Sequence, residues 1–161
     1  MSITVRELSD DDRAWAASFL TAQAGSPQQA AHGQVHQADE QPGFIASRGD
    51  ENFGIATYVI TGDECELATL YASSRYSGIG TALLEALKSH ARRAECRRIW
   101  LVTTNDNIDA LRFYQRRGFR LVKVHGGAVD EHRRMLKPKI PETGEHGIPI
   151  RDELELELWL D

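Results

Sequence analysis

The 161-residue sequence has no apolar run of membrane-spanning length, and its amino-terminal residues lack the apolar core of a signal peptide. It has only two cysteines, Cys65 and Cys96, and their spacing argues against a disulfide framework and favours a reducing compartment. Basic residues are not in excess, because 19 Lys and Arg stand against 24 Asp and Glu for a net charge of −5. A general nucleic-acid binder usually carries a basic face. We therefore expect a cytoplasmic protein that binds neither nucleic acid nor a membrane.

What the chain does contain is an ordinary globular composition. Hydrophobic residues make up 41% and charged residues 27% of the sequence, values typical of a soluble domain. The length suits one domain with a substantial core. We predict a single domain over residues 1–161.

Hydrophobic periodicity predicts a mixed α/β architecture, in which three hairpin-like strands precede alternating strands and helices. Strands are predicted for Ile3 to Glu7 and for the segments FIASR, FGIATYVITGD, CELATLYAS, RIWLVTTN and FRLVKVHGGAV, with a further one over EHRRMLK. Helices are predicted after Ser9, after Gly78 and over NIDALRFYQRRG. In the last of these, Asn107 is the expected N-cap and Gly118 the expected stop.

Two further segments have distinctive polar patterns. The stretch from Gly25 to Gly43 is polar and poor in periodicity, so we expect a loop with a short helix. The tail IRDELELELWL alternates strictly, which predicts a half-buried strand with an acidic outer face. The expected inner residues are Leu154, Leu156, Leu158 and Leu160, and the expected outer residues are Glu153, Glu155, Glu157 and Trp159.

The segment LYASSRYSGIGTALLEAL places Arg75, Gly78 and Gly80 where a strand gives way to a helix. A helix amino terminus offers unpaired N–H groups and a partial positive charge, which together bind phosphate oxygens. Glycine allows the backbone to approach a ligand closely, and arginine adds a bidentate donor. These residues alone are equally compatible with a pyrophosphate site and with a plain strand–helix turn.

Two common nucleotide motifs do not fit this segment. A P-loop requires lysine after its glycines, whereas Gly80 is followed by Thr81. A dinucleotide-binding fingerprint requires a third glycine and the first βα unit of a parallel sheet, whereas this motif lies mid-chain after antiparallel strands. Both interpretations are therefore disfavoured.

The sequence resembles the GNAT N-acetyltransferases in two segments of the expected order and spacing. The first is Arg75-x-x-Gly78-x-Gly80, and the second is Asn107-x-x-Ala110-x-x-Phe113-Tyr114-x-x-x-Gly118-Phe119. The resemblance implies the GNAT acyl-CoA N-acyltransferase fold, which is a single mixed, mostly antiparallel sheet flanked by helices. It also implies direct transfer of the acetyl group of acetyl-CoA to a primary amine.

The resemblance further implies which residues bind acetyl-CoA. Backbone amides of the turn and the first helical turn would bind its pyrophosphate, the strand backbone would pair with its pantetheine arm, and the second motif would supply further contacts. The cofactor-binding residues implied in this way are Leu70, Ala72, Arg75, Ser77, Gly78, Ile79, Gly80, Thr81, Asn107 and Ala110.

The implied chemistry needs a base, because an amine with a pKa of about 10.4 arrives protonated. Glu66, on the strand leading to the turn, is the first candidate, although a solvated strand carboxylate is the plain alternative. Glu64, Asp152 and Glu153 are its rivals. The resemblance places Tyr114 near the thioester sulfur as a general acid or positioning group, and core packing is its plain alternative.

Other interpretations remain open at this point. A catalytically silent acyl-CoA-binding regulatory module would keep the phosphate site and lose the base. The segment FYQRRGF also resembles part of the vicinal-oxygen-chelate proteins, but the chain has one copy of the module and no ligand set. The His32 and His36 pair surrounds Gly33 in a polar stretch, which favours a solvated loop, and no metal site is predicted.

The acceptor amine is not specified by the sequence. Glu142 and Glu145, with Asp152 and Glu153, flank a Gly/Pro-rich segment near the tail, and a cationic acceptor would suit them if that segment borders the acceptor site. A small molecule and a peptide are both candidate acceptors. A homodimer is an alternative to a monomer.

Overall fold

The computed structural model describes residues 2–31, 34–73, 78–135 and 140–161. Within these ranges, seven strands form one mixed sheet and four α-helices flank it, which confirms the predicted fold class. The chain divides into two compact units. Unit 1 comprises residues 1–28, 37–99 and 160–161, and unit 2 comprises residues 29–36 and 100–159.

Strands and α-helices alternate irregularly along the described residues. In chain order they are β1 (Ile3–Glu7), α1 (Arg13–Ala24), β2 (Gln28–Ala31), β3 (Gln34–Gln37), β4 (Gly43–Arg48), β5 (Glu51–Thr61), β6 (Glu64–Ala72), α2 (Ile79–Arg93), β7 (Arg98–Thr104), α3 (Ile108–Arg116), β8 (Arg120–His125), α4 (Ala128–Met135) and β9 (Glu153–Trp159).

The strands of unit 1 lie in the order β1-β4-β5-β6, and each neighbouring pair is antiparallel. The register of β5 and β6 shifts once, because Thr57 lies opposite Thr69 whereas Tyr58 lies opposite Leu67. Ala68 is therefore an extra residue on β6, as in a β-bulge. The bulge lies between Glu66 and the carboxyl end of β6.

The two helices of unit 1, α1 and α2, pack on opposite faces of β5. Ile55 packs in a buried cluster with Ala16 and Leu20 of α1. The neighbouring Gly54 lies against α2, where an added Cβ would be 2.5 Å from Ile79 Cγ2. The apolar stripe predicted for α2 is confirmed by its buried residues, which are Ile79, Leu83, Leu84, Leu87 and Ala91.

In unit 2, β8 pairs antiparallel with β9, and α3 has the predicted boundaries. Asn107 Oδ1 accepts a hydrogen bond from the amide of Ala110 at 3.2 Å, which confirms the N-cap. Gly118 follows the end of α3 with φ +96°, a conformation that glycine adopts at low cost.

Three predictions from the sequence are wrong. The stretch from Gly25 to Gly43 includes two paired strands, β2 and β3, and not just a loop with a short helix. The segment EHRRMLK is not a strand, because α4 runs through it from Ala128 to Met135. The predicted acidic outer face of β9 does not extend to Glu153, because this residue is only 2% exposed. Glu153 lies beside the buried His132, and its Oε2 is 3.5 Å from His132 Nδ1.

Of the helices in the described ranges, none combines the length and the apolar character needed to cross a bilayer.

Candidate active site

The opening of α2 has the geometry of an anion cradle. Gly78 is the N-cap with φ +83°, and the first intrahelical bond runs from Ala82 N to Gly78 O at 3.0 Å. The amides of residues 79–81 therefore precede the intrahelical ladder. An added Cβ at Gly78 would meet only Ile3 Cδ1, at 3.6 Å, so backbone conformation and not crowding requires glycine here.

The first turn of α2 suits a phosphate in charge as well as in shape. It carries no acidic residue, so nothing in it opposes the positive end of the helix dipole. Ile79 is buried and anchors the turn, while Gly80 and Thr81 are half-buried. Arg75 and Ser77, the other side of the predicted cradle, lie outside the described residues.

At the end of β6, the peptide groups of successive residues point alternately towards β5 and away from it. Ser73 N donates to Phe53 O at 2.8 Å, so the peptide groups of Ser73 point towards β5. Because successive residues of an antiparallel strand alternate in direction, the peptide groups of Leu70 and Ala72 point away from β5. These are the two residues expected to pair with a pantetheine arm.

Glu66 is buried on β6 and is 8% exposed, so it is not the solvated carboxylate of the plain alternative. Its neighbour Cys65 is a free, fully buried thiol. Burial, together with the nearby Cys96 and the charge of Glu66, raises the pKa of Cys65 to about 12. A thiol that stays protonated is a poor nucleophile, so Cys65 does not suit an acyl-enzyme step.

The three rival carboxylates are engaged in structural contacts. Glu64 Oε1 accepts from Arg98 Nε at 2.6 Å. Asp152 Oδ1 accepts from the amide of Gly127 at 2.9 Å. Glu153 is buried beside His132, as described above. The role of Glu66 as the base stays a prediction.

The second motif places its predicted residues on α3. Besides capping the helix, Asn107 donates from Nδ2 to Thr103 Oγ1 at 3.1 Å. Both ends of its amide are thus committed within the protein, and the Ala110 amide is the donor of the cap. Binding of the cofactor by Asn107 and Ala110 stays a prediction.

Tyr114 is 7% exposed and lies in an aromatic cluster of unit 2. Its ring centroid is 5.3 Å from that of Phe119 and 5.1 Å from that of Phe113, both in edge-on arrangements. The ring therefore packs in the core, as its plain alternative states. The role of its hydroxyl in proton transfer stays a prediction.

The sequence analysis missed the polar turn after β7. Asp106, 5% exposed, accepts hydrogen bonds from Thr104 Oγ1 at 2.5 Å and from the Glu145 amide at 2.9 Å. Asn105 Oδ1 accepts from the amides of Arg151 and Asp152, each at 3.0 Å. These contacts fix the segment before β9, and the signal for them was a polar pair directly after a buried strand.

Among the described residues, no group of three or more His, Cys, Asp or Glu side chains is placed to hold a metal ion. His36 lies in β3, and His32 lies outside the described residues.

Comparison with known proteins decides the family. Residues 5–119, more than half of the chain, match the model of the Acetyltransferase (GNAT) family. The chain belongs to the GNAT acetyltransferase family. GNAT proteins are acyltransferases that use acetyl-CoA, so the predicted family, enzyme class and cofactor are confirmed at that level.

Two curated relatives are similar to most of the chain. The uncharacterized protein YdhI of Bacillus subtilis (strain 168) is 44% identical over 137 residues, which span 84% of this chain and 85% of the relative. The uncharacterized protein YxbD of the same organism is 41% identical over 140 residues, which span 86% of this chain and 87% of the relative.

Solved GNAT structures share the fold at low identity. An IAA acetyltransferase from Bacillus cereus ATCC 14579 has a TM-score of 0.78 at 20% identity, covering 99% of this chain and 100% of that one. A Bacillus subtilis acetyltransferase in complex with CoA has a TM-score of 0.72 at 20% identity, covering 99% and 98%. The ribosomal-protein-S18-alanine N-acetyltransferase of Escherichia coli has a TM-score of 0.74 at 16% identity, covering 99% and 95%.

Proposed function

We propose that this GNAT protein transfers the acetyl group of acetyl-CoA directly to a primary amine. The observation that carries the proposal is the opening of α2, where Gly78 at φ +83° precedes three amides that the helix does not use internally. Such an opening favours a phosphate-bearing ligand, and acetyl-CoA is the phosphate-bearing substrate of the family.

The chain's own residues divide the binding of acetyl-CoA between them. The amides from Gly78 to Thr81 bind the pyrophosphate, with Arg75 and Ser77 completing the cradle as the sequence predicts. The peptide groups of Leu70 and Ala72 that point away from β5 bind the amide-bearing pantetheine arm in the manner of an added strand. Asn107 and Ala110 supply further contacts at the start of α3.

Acetyl-CoA supplies an activated acyl group on a good leaving group, and the chain supplies proton transfer. Glu66 takes a proton from the ammonium form of the acceptor, which frees the lone pair of the nitrogen. The carbon–nitrogen bond then forms and the carbon–sulfur bond breaks. Tyr114 gives a proton to the departing sulfur or holds it in position. Cys65 takes no part, because its raised pKa keeps the thiol protonated.

The acceptor is a primary amine of a small molecule or of a peptide. The Escherichia coli structural neighbour is named for an alanine of a ribosomal protein, which makes a peptide amine one of the two classes to test. A cytoplasmic location, the absence of nucleic-acid and membrane partners, and a homodimer as an alternative to a monomer all stay predictions.

An acceptor screen tests the proposal. The purified protein is incubated with acetyl-CoA and a panel of amines, and release of free thiol is followed. We expect turnover with at least one amine, and Glu66→Gln to reduce that turnover by about 10²-fold or more, the usual range for loss of a general base. The matched control is Glu64→Gln, which removes a carboxylate of the same strand that pairs with Arg98.

Calorimetry with coenzyme A accompanies the screen and separates the two functional classes. Heat of binding without turnover of any amine would favour the silent acyl-CoA-binding module instead. Turnover by Glu66→Gln equal to that of the wild type would assign the base to another group.

A further inference from the structure

Two threonines lie opposite each other on the face of the sheet that also carries Glu66. Thr57 on β5 pairs with Thr69 on β6, and Val59 pairs with Glu66. Residues two apart on a strand project to the same face, so Thr57 and Val59 share a face, and their partners Thr69 and Glu66 share it with them. The extra residue of the bulge, Ala68, lies between the two partners on β6.

The hydroxyl of Thr69 stands out from the other buried polar groups of this face. Thr69 is 4% exposed, and in the part of the chain that the structure describes its Oγ1 has no hydrogen-bond partner. Thr57, by contrast, is 0% exposed and donates from Oγ1 to Gln41 Oε1 at 2.9 Å. A buried hydroxyl without a partner is unfavourable for folding, so its presence on the face that carries Glu66 points to a partner that arrives with a ligand.

We propose that Thr69 Oγ1 binds an oxygen of the acceptor and thereby selects it. This inference rests on the proposed function, because it takes Glu66 as the base that faces the amine nitrogen. Positions 57 and 59 of β5 are about 7 Å apart along the strand, and their partners Thr69 and Glu66 share one face of the sheet at that spacing. The acceptor class that we infer from this spacing is an amine with a hydroxyl or carbonyl oxygen on the carbon next to its aminomethyl group.

The test compares amines that differ at this one oxygen. Ethanolamine and propylamine have the same length, and glycinamide replaces the hydroxyl by a carbonyl. We expect the wild type to prefer an oxygen-bearing amine over propylamine by about tenfold in kcat/KM, the usual worth of one hydrogen bond. A preference for ethanolamine would indicate an amino alcohol as the acceptor, and a preference for glycinamide would indicate an amine with a neighbouring carbonyl group.

Variants of Thr69 assign the preference to its hydroxyl. Thr69→Val keeps the shape of the side chain and is expected to reduce the ratio of kcat/KM for the oxygen-bearing amine to that for propylamine to about one. Thr69→Ser is expected to keep the wild-type ratio. Thr61→Val removes an exposed threonine of the same strand pair and serves as the control. A melting temperature for each variant verifies folding, and Thr69→Val is expected to melt no lower than the wild type because it removes an unpaired buried hydroxyl.

The outcomes separate the two proposals. Turnover of propylamine at the same kcat/KM as both oxygen-bearing amines would overturn the role of Thr69 and leave the proposed function standing. If the Thr69→Val variant keeps the wild-type ratio of kcat/KM between the oxygen-bearing amine and propylamine, the role of Thr69 would likewise be overturned. Binding of coenzyme A without turnover of any amine would overturn the proposed function, and this inference with it.

Discussion

At the scale of single residues, Tyr114 has a ring packed in an aromatic cluster and a hydroxyl proposed to act on the leaving sulfur. Its edge-on contacts with Phe113 and Phe119 involve the ring alone. Phenylalanine would preserve those ring contacts, so a melting temperature measured beside kcat tells lost stability of the variant from lost proton transfer.

We expect Tyr114→Phe to lower kcat by about tenfold or more, because proton transfer by a positioned side chain contributes on that order, while the dissociation constant of coenzyme A changes little. Steady-state thiol release and calorimetry measure the two quantities. Tyr58→Phe is a matched control, since Tyr58 is another buried tyrosine, with its hydroxyl 2.9 Å from His90 Nε2 in unit 1. An unchanged kcat in Tyr114→Phe would leave that residue with packing alone.

The individual residues of the candidate site were predictable from the sequence in unequal measure. Asn107 has the local signature of a helix cap and was predicted correctly as the N-cap of α3. Gly78 was predicted only as a residue that lets a ligand approach the backbone, and its positive φ was not predicted. The burial of Glu66 depends on which face of β6 is covered, and the unpaired hydroxyl of Thr69 depends on the neighbouring strand. Periodicity within one segment carries no information on either point.

At the scale of secondary structure elements, α2 depends on its N-cap residue, Gly78, both to begin the helix and to bind the proposed ligand. Gly78 has φ +83°, a region in which a β-branched side chain is strained. The strain comes from the backbone, because the space beyond Gly78 is open as far as Ile3.

We expect Gly78→Val to destabilise the fold by about 1–2 kcal/mol and to weaken binding of coenzyme A by tenfold or more, since the amides that follow shift with the backbone. Thermal melting and calorimetry measure the two effects. Gly62→Val is the control, because Gly62 has φ +62° in the open β5–β6 turn and shares the strain without the cradle. Equal affinities in the two variants would show that the amides after Gly78 do not bind the ligand.

The elements that were not predicted from the sequence are those whose local sequence pattern is weak or whose formation depends on tertiary contacts. The strands β2 and β3 are polar and short, so their pairing leaves little trace in hydrophobic periodicity. In α4 the buried residues Val129 and His132 are three apart, and acidic residues precede basic ones. That arrangement fits a helix dipole, but a segment of eight residues offers only one such repeat.

At the scale of the whole molecule, the architecture was predictable because strand order and helix order agree with one well-known family. The match to the family model over residues 5–119 includes residues of both compact units. The prediction of a single domain over residues 1–161 stays a prediction.

We expect coenzyme A at one hundred times its dissociation constant to stabilise the protein by about 2.7 kcal/mol, which corresponds to a rise in melting temperature of roughly 5–11 °C for a chain of this size. Differential scanning fluorimetry across a range of coenzyme A concentrations measures the rise. Pantetheine, which lacks the pyrophosphate, is the control ligand and is expected to give a smaller rise at equal concentration. A flat melting curve at saturating coenzyme A would contradict the proposed donor.

The bare backbone of Gly54 lets β5 approach the first residue of α2 so closely that an added methyl group would displace Ile79. Position 54 therefore offers protein engineers an indirect route to retuning donor selectivity. A library that varies this buried position would shift the start of α2, and with it the amides proposed to bind the pyrophosphate, without replacing any residue proposed to contact the ligand.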